Sequence, residues 1–81
     1  MTTTEQLADL RRLLADVTGR AEVLDLDVGT DLFGAGILDS FGIIAVIGAL
    51  EDEWEVLVPD EDLVPDNFWT LTALDSLVRR L

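Results

Sequence analysis

The chain has two serines, Ser40 and Ser76, and each closes a Leu-Asp-Ser tripeptide. Neither has the partners that would make it a hydrolytic nucleophile. The 81 residues include no His and no Cys, which removes the commonest general base, thiolate chemistry and His- or Cys-ligated transition metals together. Serine-triad and zinc chemistry are thereby excluded, and the chain is expected to catalyse nothing and to hold no metal. A serine can still accept a group from another enzyme. Ser76 falls within a run of helical period, whereas Ser40 follows a glycine-containing stretch and opens an apolar helix, so only Ser40 is placed for presentation to a partner. From the tripeptide alone, an ordinary helix N-cap is the favoured reading of Asp39 and Ser40, and only further context can turn Ser40 into an acceptor.

Two other groupings invite a chemical reading. Asp25, Asp27 and Asp31 surround Gly29, but the EF-hand spacing fails, with Gly29 at the fifth position and Gly36 at the twelfth. Trp54 and Trp69 could be taken for a ligand box. Trp54, however, continues an apolar helix face and Trp69 flanks a cap, so both are expected to pack in the core.

The elements that position Ser40 follow from hydrophobic period. Leu7, Leu10, Leu14 and Val17 recur at helical spacing, Thr2 or Thr3 can cap the start with Glu5 or Gln6, and Gly19 suits a left-handed stop. A first helix is predicted over about 4–18. Residues 19–39 lose all period and contain Gly29, Gly34 and Gly36, with Val23, Leu26, Leu32 and Phe33 as apolar anchors; a long loop pinned across a helical core is predicted. A second helix over about 40–55 places Ile43, Val46, Ile47, Leu50 and Trp54 on one face. Glu51, Asp52, Glu53 and Glu55 crowd its C-terminal end, where the helix dipole disfavours anions, so some other requirement keeps them there. A short helix is predicted over about 60–64 before Pro65. A last helix over about 70–81, capped by Thr70, carries Leu74, Leu77, Val78 and Leu81 and ends in Arg79 and Arg80. The expected architecture is all-α: one domain over 1–81, a bundle of three main helices plus one short helix, with a long loop between the first two.

Charge narrows the partners. Five arginines, no lysine and 17 acidic residues leave a formal charge of −12. Nucleic-acid phosphates and anionic membranes would be repelled, so partners with basic surfaces are expected. No basic-apolar leader or membrane-length apolar run is seen, which implies a cytoplasmic chain, expected to act as a monomer. A chain this short buries about 60% of its unfolded surface and has room for a single small core.

The stretch DLFGAGILDSFGIIAVIGALEDEWEVLVPDEDLVPDNFWTLTALDSLV resembles the phosphopantetheine-binding carrier proteins, the acyl and peptidyl carriers. The family-like points are Leu32 and Phe33 ahead of Gly36, the Leu38-Asp39-Ser40 triplet, the Ala49-Leu50-Glu51 run, Pro59-Asp60-Glu61, and a closing helix beginning at Thr70. The resemblance implies a four-helix, acyl-carrier-protein-like fold in which a phosphopantetheinyl transferase joins the Ser40 hydroxyl to the phosphopantetheine of coenzyme A. Asp39 would fix the helix start beside it. The arm's thiol would then carry cargo as a thioester. Glu51, Asp52, Glu53, Asp60, Glu61 and Asp62 would steer basic partner enzymes.

Departures from the fatty-acid carrier pattern are informative. Phe41 replaces the usual Leu after the serine, Gly42 replaces an acid, and Ala45 stands where Glu is common. Phe41, Ile44 and Gly48 then either form an exposed apolar docking patch or, for the first two, pack against the loop. The Asp-Ser-x-Gly form is similar to the D-alanyl carrier and to free-standing carriers of polyketide and nonribosomal peptide pathways, loaded by adenylating enzymes. The rival reading is an acidic helical interaction protein, or nucleic-acid mimic, with no prosthetic group.

Overall fold

The computed structural model describes residues 3–81, with side chains from Glu5 onward. Three α-helices make up most of it: α1, Thr3–Thr18; α2, Ser40–Trp54; and α3, Leu71–Arg80. No strand occurs among the described residues. The expected threonine cap of α1, at Thr2 or Thr3, lies outside the described side chains.

Helix α1 is the central element, in contact with α2, α3 and the first 3₁₀ turn. Its Leu10 and Leu14 are wholly buried, and Leu7 and Val17 pack on the same core at its edge. They meet Val46 and Leu50 of α2, Leu71, Leu74 and Leu77 of α3, and Phe68 just before α3. The apolar stripes read from the sequence are therefore the faces that pack, as burial of one stripe per helix requires. Gly19 ends α1 with a positive φ of 71° and donates to the Ala15 carbonyl, a geometry that costs glycine little.

Two stretches differ from expectation. Residues 19–39 are not wholly irregular, since Ala21–Asp25 form a 3₁₀ turn with Val23 buried beneath it. The Arg11 guanidinium supports that turn by donating to the carbonyls of Val23 and Leu26. In place of one helix at 60–64 there are two 3₁₀ turns, Asp60–Asp62 and Pro65–Phe68. Pro65 accounts for the break: the residue before a proline is pushed out of the helical region, and Val64 is extended, with φ −119° and ψ 147°. Asn67 and Arg80 tie this segment down, through Asn67 Nδ2 to the Asp62 carbonyl at 2.7 Å and Arg80 to Asn67 Oδ1 at 3.3 Å.

The segment leading to Ser40 is held by Leu32 and Val28. Leu32 is fully buried, its amide donates to the Trp69 carbonyl at 2.8 Å, and its own carbonyl accepts from the amides of Ile37 and Leu38 at 2.9 and 3.1 Å. Val28 offers its carbonyl to the Thr72 amide at 3.1 Å. Gly36, with φ 76°, lets the chain reverse between Phe33 and Ile37. Buried Ile37 and Leu38 thus deliver the chain to the start of α2 from a fixed direction.

Candidate cofactor-attachment site

Asp39 is the N-cap of α2: its backbone is extended, and its carboxylate accepts from the Gly42 amide at 2.7 Å. Its carbonyl takes the first helical bond, from the Ile43 amide. Glycine at 42 keeps that cap close, because a Cβ there would stand 3.3 Å from the Asp39 carboxylate and 3.6 Å from Leu38 Cδ2. Ser40 is the first helical residue and is exposed. Asp39 and Ser40 therefore divide the work at this terminus, the aspartate capping the helix and the serine facing solvent.

The second Leu-Asp-Ser tripeptide is built differently. Ser76 is also exposed but sits inside α3, with helix on both sides. Asp75 before it is 7% exposed and caps nothing. Its carboxylate accepts from Gln6 Nε2 at 2.6 Å and from Arg79 Nε at 3.0 Å, which ties α1 to α3. The i,i+4 spacing of Asp75 and Arg79 was the sequence signal for half of this arrangement.

The solvent face of α2 next to Ser40 is apolar. Phe41 is 84% exposed and Ile44 70% exposed, so neither packs against the loop. Gly48, one turn further along the same row, is open on its outer side.

The six acids expected to face partners fall into two groups. Asp52, Glu53, Asp60 and Glu61 are exposed. Glu51 and Asp62 are partly buried and engaged: Glu51 Oε2 accepts from the Val58 amide at 3.0 Å, and Asp62 Oδ1 lies 3.8 Å from Arg80. The Glu51 bond answers the question of why an anion is kept near the C-terminus of α2, against the helix dipole. It satisfies a backbone donor of the next segment. No sequence period could have revealed it.

A family described as "Phosphopantetheine attachment site" matches residues 8–81. The chain belongs to this carrier family. No curated protein matches it. The family's prosthetic group is phosphopantetheine, held covalently, and its members are non-catalytic carriers that interact with phosphopantetheinyl transferases and biosynthetic enzymes.

The start of α2 in this carrier fits that group. A phosphodiester is an anion, and helix N-termini favour anions through unsatisfied amides and the dipole. Asp39 occupies the Gly42 amide, while among the described residues the Ser40 and Phe41 amides have no internal acceptor. With no Cys in the chain, the thiol the group supplies has no thiol of the carrier to compete with it.

The remaining groupings of the carrier have structural roles. Asp27 accepts from the Gly29 amide and Asp31 from the amides of Phe33 and Gly34, so both shape turns. Trp54 packs against the core as expected. Trp69 does not enter it: the residue is 43% exposed and its ring meets that of Phe33 edge-on, with centroids 5.7 Å apart. Phe68 takes the buried position instead, because the 3₁₀ turn directs consecutive side chains apart and only one can enter the core.

Replacing Asp39 by Ala is expected to cost about 1 kcal/mol of stability, the usual penalty for losing an N-cap. Urea unfolding of the two chains measures it. Because Asp39 also fixes where α2 begins, arm addition to this variant should slow as well.

Proposed function

We propose that the carrier receives phosphopantetheine on Ser40 and uses it to hold a small acyl or aminoacyl unit as a thioester for polyketide or nonribosomal peptide enzymes. The observation that carries the reading is the placement of Ser40: an exposed serine at the first residue of a capped helix, delivered there by a buried and hydrogen-bonded segment. In the transfer, a bond forms between the serine oxygen and the phosphorus next to the pantetheine. The pyrophosphate bond of coenzyme A breaks, adenosine bisphosphate leaves, and the hydroxyl proton passes to a base on the transferase. Serine accepts the group and the carrier does nothing else chemical.

The natural-product assignment rests on the face around Ser40. Phe41 and Ile44 are bare, and Gly42 and Ala45 stand where acids are usual in fatty-acid carriers, so an apolar surface is offered to an adenylating or acyltransferring enzyme. Exposed acids at the far end of α2 add long-range attraction to a basic partner, acting over about 8 Å at physiological salt. The carrier works as a monomer in the cytoplasm, where coenzyme A is at hand. No helix among the described residues is long and apolar enough to cross a membrane.

The test is incubation of the full chain with coenzyme A and a promiscuous phosphopantetheinyl transferase, read by intact mass. One arm should add. If none does, and neutralising Asp52, Glu53, Asp60 and Glu61 abolishes a binding activity of the unmodified chain, the protein is an acidic interaction module instead.

The apolar face gives a separate expectation. Phe41→Glu should reduce loading of the arm-bearing carrier by its adenylating enzyme at least tenfold, the equivalent of about 1.4 kcal/mol. Since Phe41 is 84% exposed, its helix content and unfolding midpoint should stay near wild type. A loss of loading that merely follows loss of helicity would show that the patch is not a docking surface.

A further inference from the structure

Ser40, Ile44, Gly48 and Asp52 stand at successive i,i+4 positions of α2 and are all exposed, so they form one row along its solvent side. Gly48 leaves the middle of that row open, since a Cβ there would meet nothing within 4 Å. Glycine is less favourable than alanine inside a helix, and no neighbour in the chain accounts for it here. The row therefore leads from the serine, over a bare apolar stretch, to an acid.

Asp52 also lines a groove between α1 and α2, about 290 Å³ in volume. The partly buried lining is apolar, from Leu13 and Val17 of α1 and Ala49 of α2. Acids of both helices edge it, Asp9 and Asp16 on one side and Asp52 and Glu53 on the other. Arg12, the cation of the lining, is paired with Asp9. Asp16, Asp52 and Glu53 are exposed and have no hydrogen bond or ion pair among the described residues. The groove is thus an apolar trough edged by three unanswered negative charges, and its complement is a small aliphatic group that carries a cation. Its volume lies at the small end for ligand pockets, which begin near about 300 Å³, and suits the end of an arm rather than a whole cofactor.

We propose that this groove receives the ammonium end of an aminoacyl cargo held on the Ser40 arm, so that the carrier is built for an amine-bearing unit rather than a plain acyl group. This rests on Ser40 being the attachment point. Asp52 stands about 18 Å along α2 from Ser40, at about 1.5 Å per residue. The arm has about 14 bonds from the serine oxygen to its sulfur, and an aminoacyl group adds about 3 more to its nitrogen, together about 20 Å when extended at about 1.2 Å per bond. An ammonium at that end reaches Asp52, with Ile44 and Gly48 along the way, whereas a neutral acyl group leaves the three charges unanswered. The tether keeps the cargo near the groove at an effective concentration of about millimolar order, so contacts too weak to hold a free amine suffice.

The experiment loads the full chain, through a promiscuous phosphopantetheinyl transferase, with two coenzyme A analogues in which nitrogen replaces the thiol sulfur, so that neither cargo is lost to hydrolysis. One carries valine and the other isovalerate, which differ only in the α-ammonium. Methyl NMR shifts of Leu13, Val17 and Ala49 are read against the unloaded chain at about pH 6.5, below the ordinary α-amino pKa of about 7.7–8.0. The valyl arm should move these methyls at least threefold more than the isovaleryl arm. Asp16→Asn combined with Asp52→Asn should remove the difference, while the charge-matched pair Asp60→Asn and Glu61→Gln should keep it. All four positions are exposed, so the unfolding midpoints should stay near wild type. Equal shifts from the two arms, or a difference that the Asp16 and Asp52 pair leaves intact, overturns the cargo groove while arm addition itself stands. A wild-type chain that gains no arm overturns the attachment reading and this proposal with it.

Discussion

The Ser40→Ala chain is expected to gain no mass when incubated with coenzyme A and a phosphopantetheinyl transferase, under conditions in which the wild-type chain gains one arm to completion. The alanine chain should nonetheless fold. Asp39, not Ser40, caps α2, and the Ser40 side chain is exposed, so its removal leaves the cap and the core untouched. Stability should change by less than about 0.5 kcal/mol, the usual range for surface positions. Ser76→Ala is the matched control, because the same tripeptide lies there inside α3 with its aspartate committed to Gln6 and Arg79. That chain should be modified as wild type is. Arm addition to Ser40→Ala, or its loss in Ser76→Ala with the fold intact, would place the acceptor elsewhere.

The largest effect on stability is expected from Phe68→Ala. Phe68, at the end of the last 3₁₀ turn, is 1% exposed and belongs to the core that the three helices share. Truncating a buried phenylalanine costs about 3–5 kcal/mol. A chain of 81 residues has about 4–12 kcal/mol in total. The variant should therefore be partly or wholly unfolded at room temperature, seen as a lowered urea midpoint or its absence. Where it still folds, the effect should reach Ser40, because the neighbouring Trp69 carbonyl holds the Leu32 amide, and Leu32 in turn holds Ile37 and Leu38. Trp69→Ala, at a half-exposed ring, should cost much less. Equal costs for the two would mean that Phe68 is not the core residue of its segment.

Much of this protein is written in local pattern. The buried stripes of α1, α2 and α3, the glycine stop at Gly19, the Thr70 cap and the position of Ser40 at a helix start all depend on residues within a turn or two of each other. The period of 3.6 residues and capping chemistry are local effects, so a single sequence exposes them. The break between the 3₁₀ turns at Pro65 was within reach for the same reason, since a proline restricts its predecessor whatever the fold.

What tertiary structure decided is which side chains found partners. Phe41 and Ile44 are as apolar as Ile43 and Ile47, and only the position of the loop and of α1 determines that the first two remain in water. Glu51 and Asp62 look like Asp52 and Asp60 in composition, yet the backbone reversal at left-handed Glu55 brings the Val58 amide to Glu51, and the packing of α3 brings Arg80 to Asp62. Asp75 meets Gln6 across 69 residues of chain. Local propensity acts through the bonds of the chain and is read along it; burial and pairing act through space, and exist only once the three helices have closed on one core.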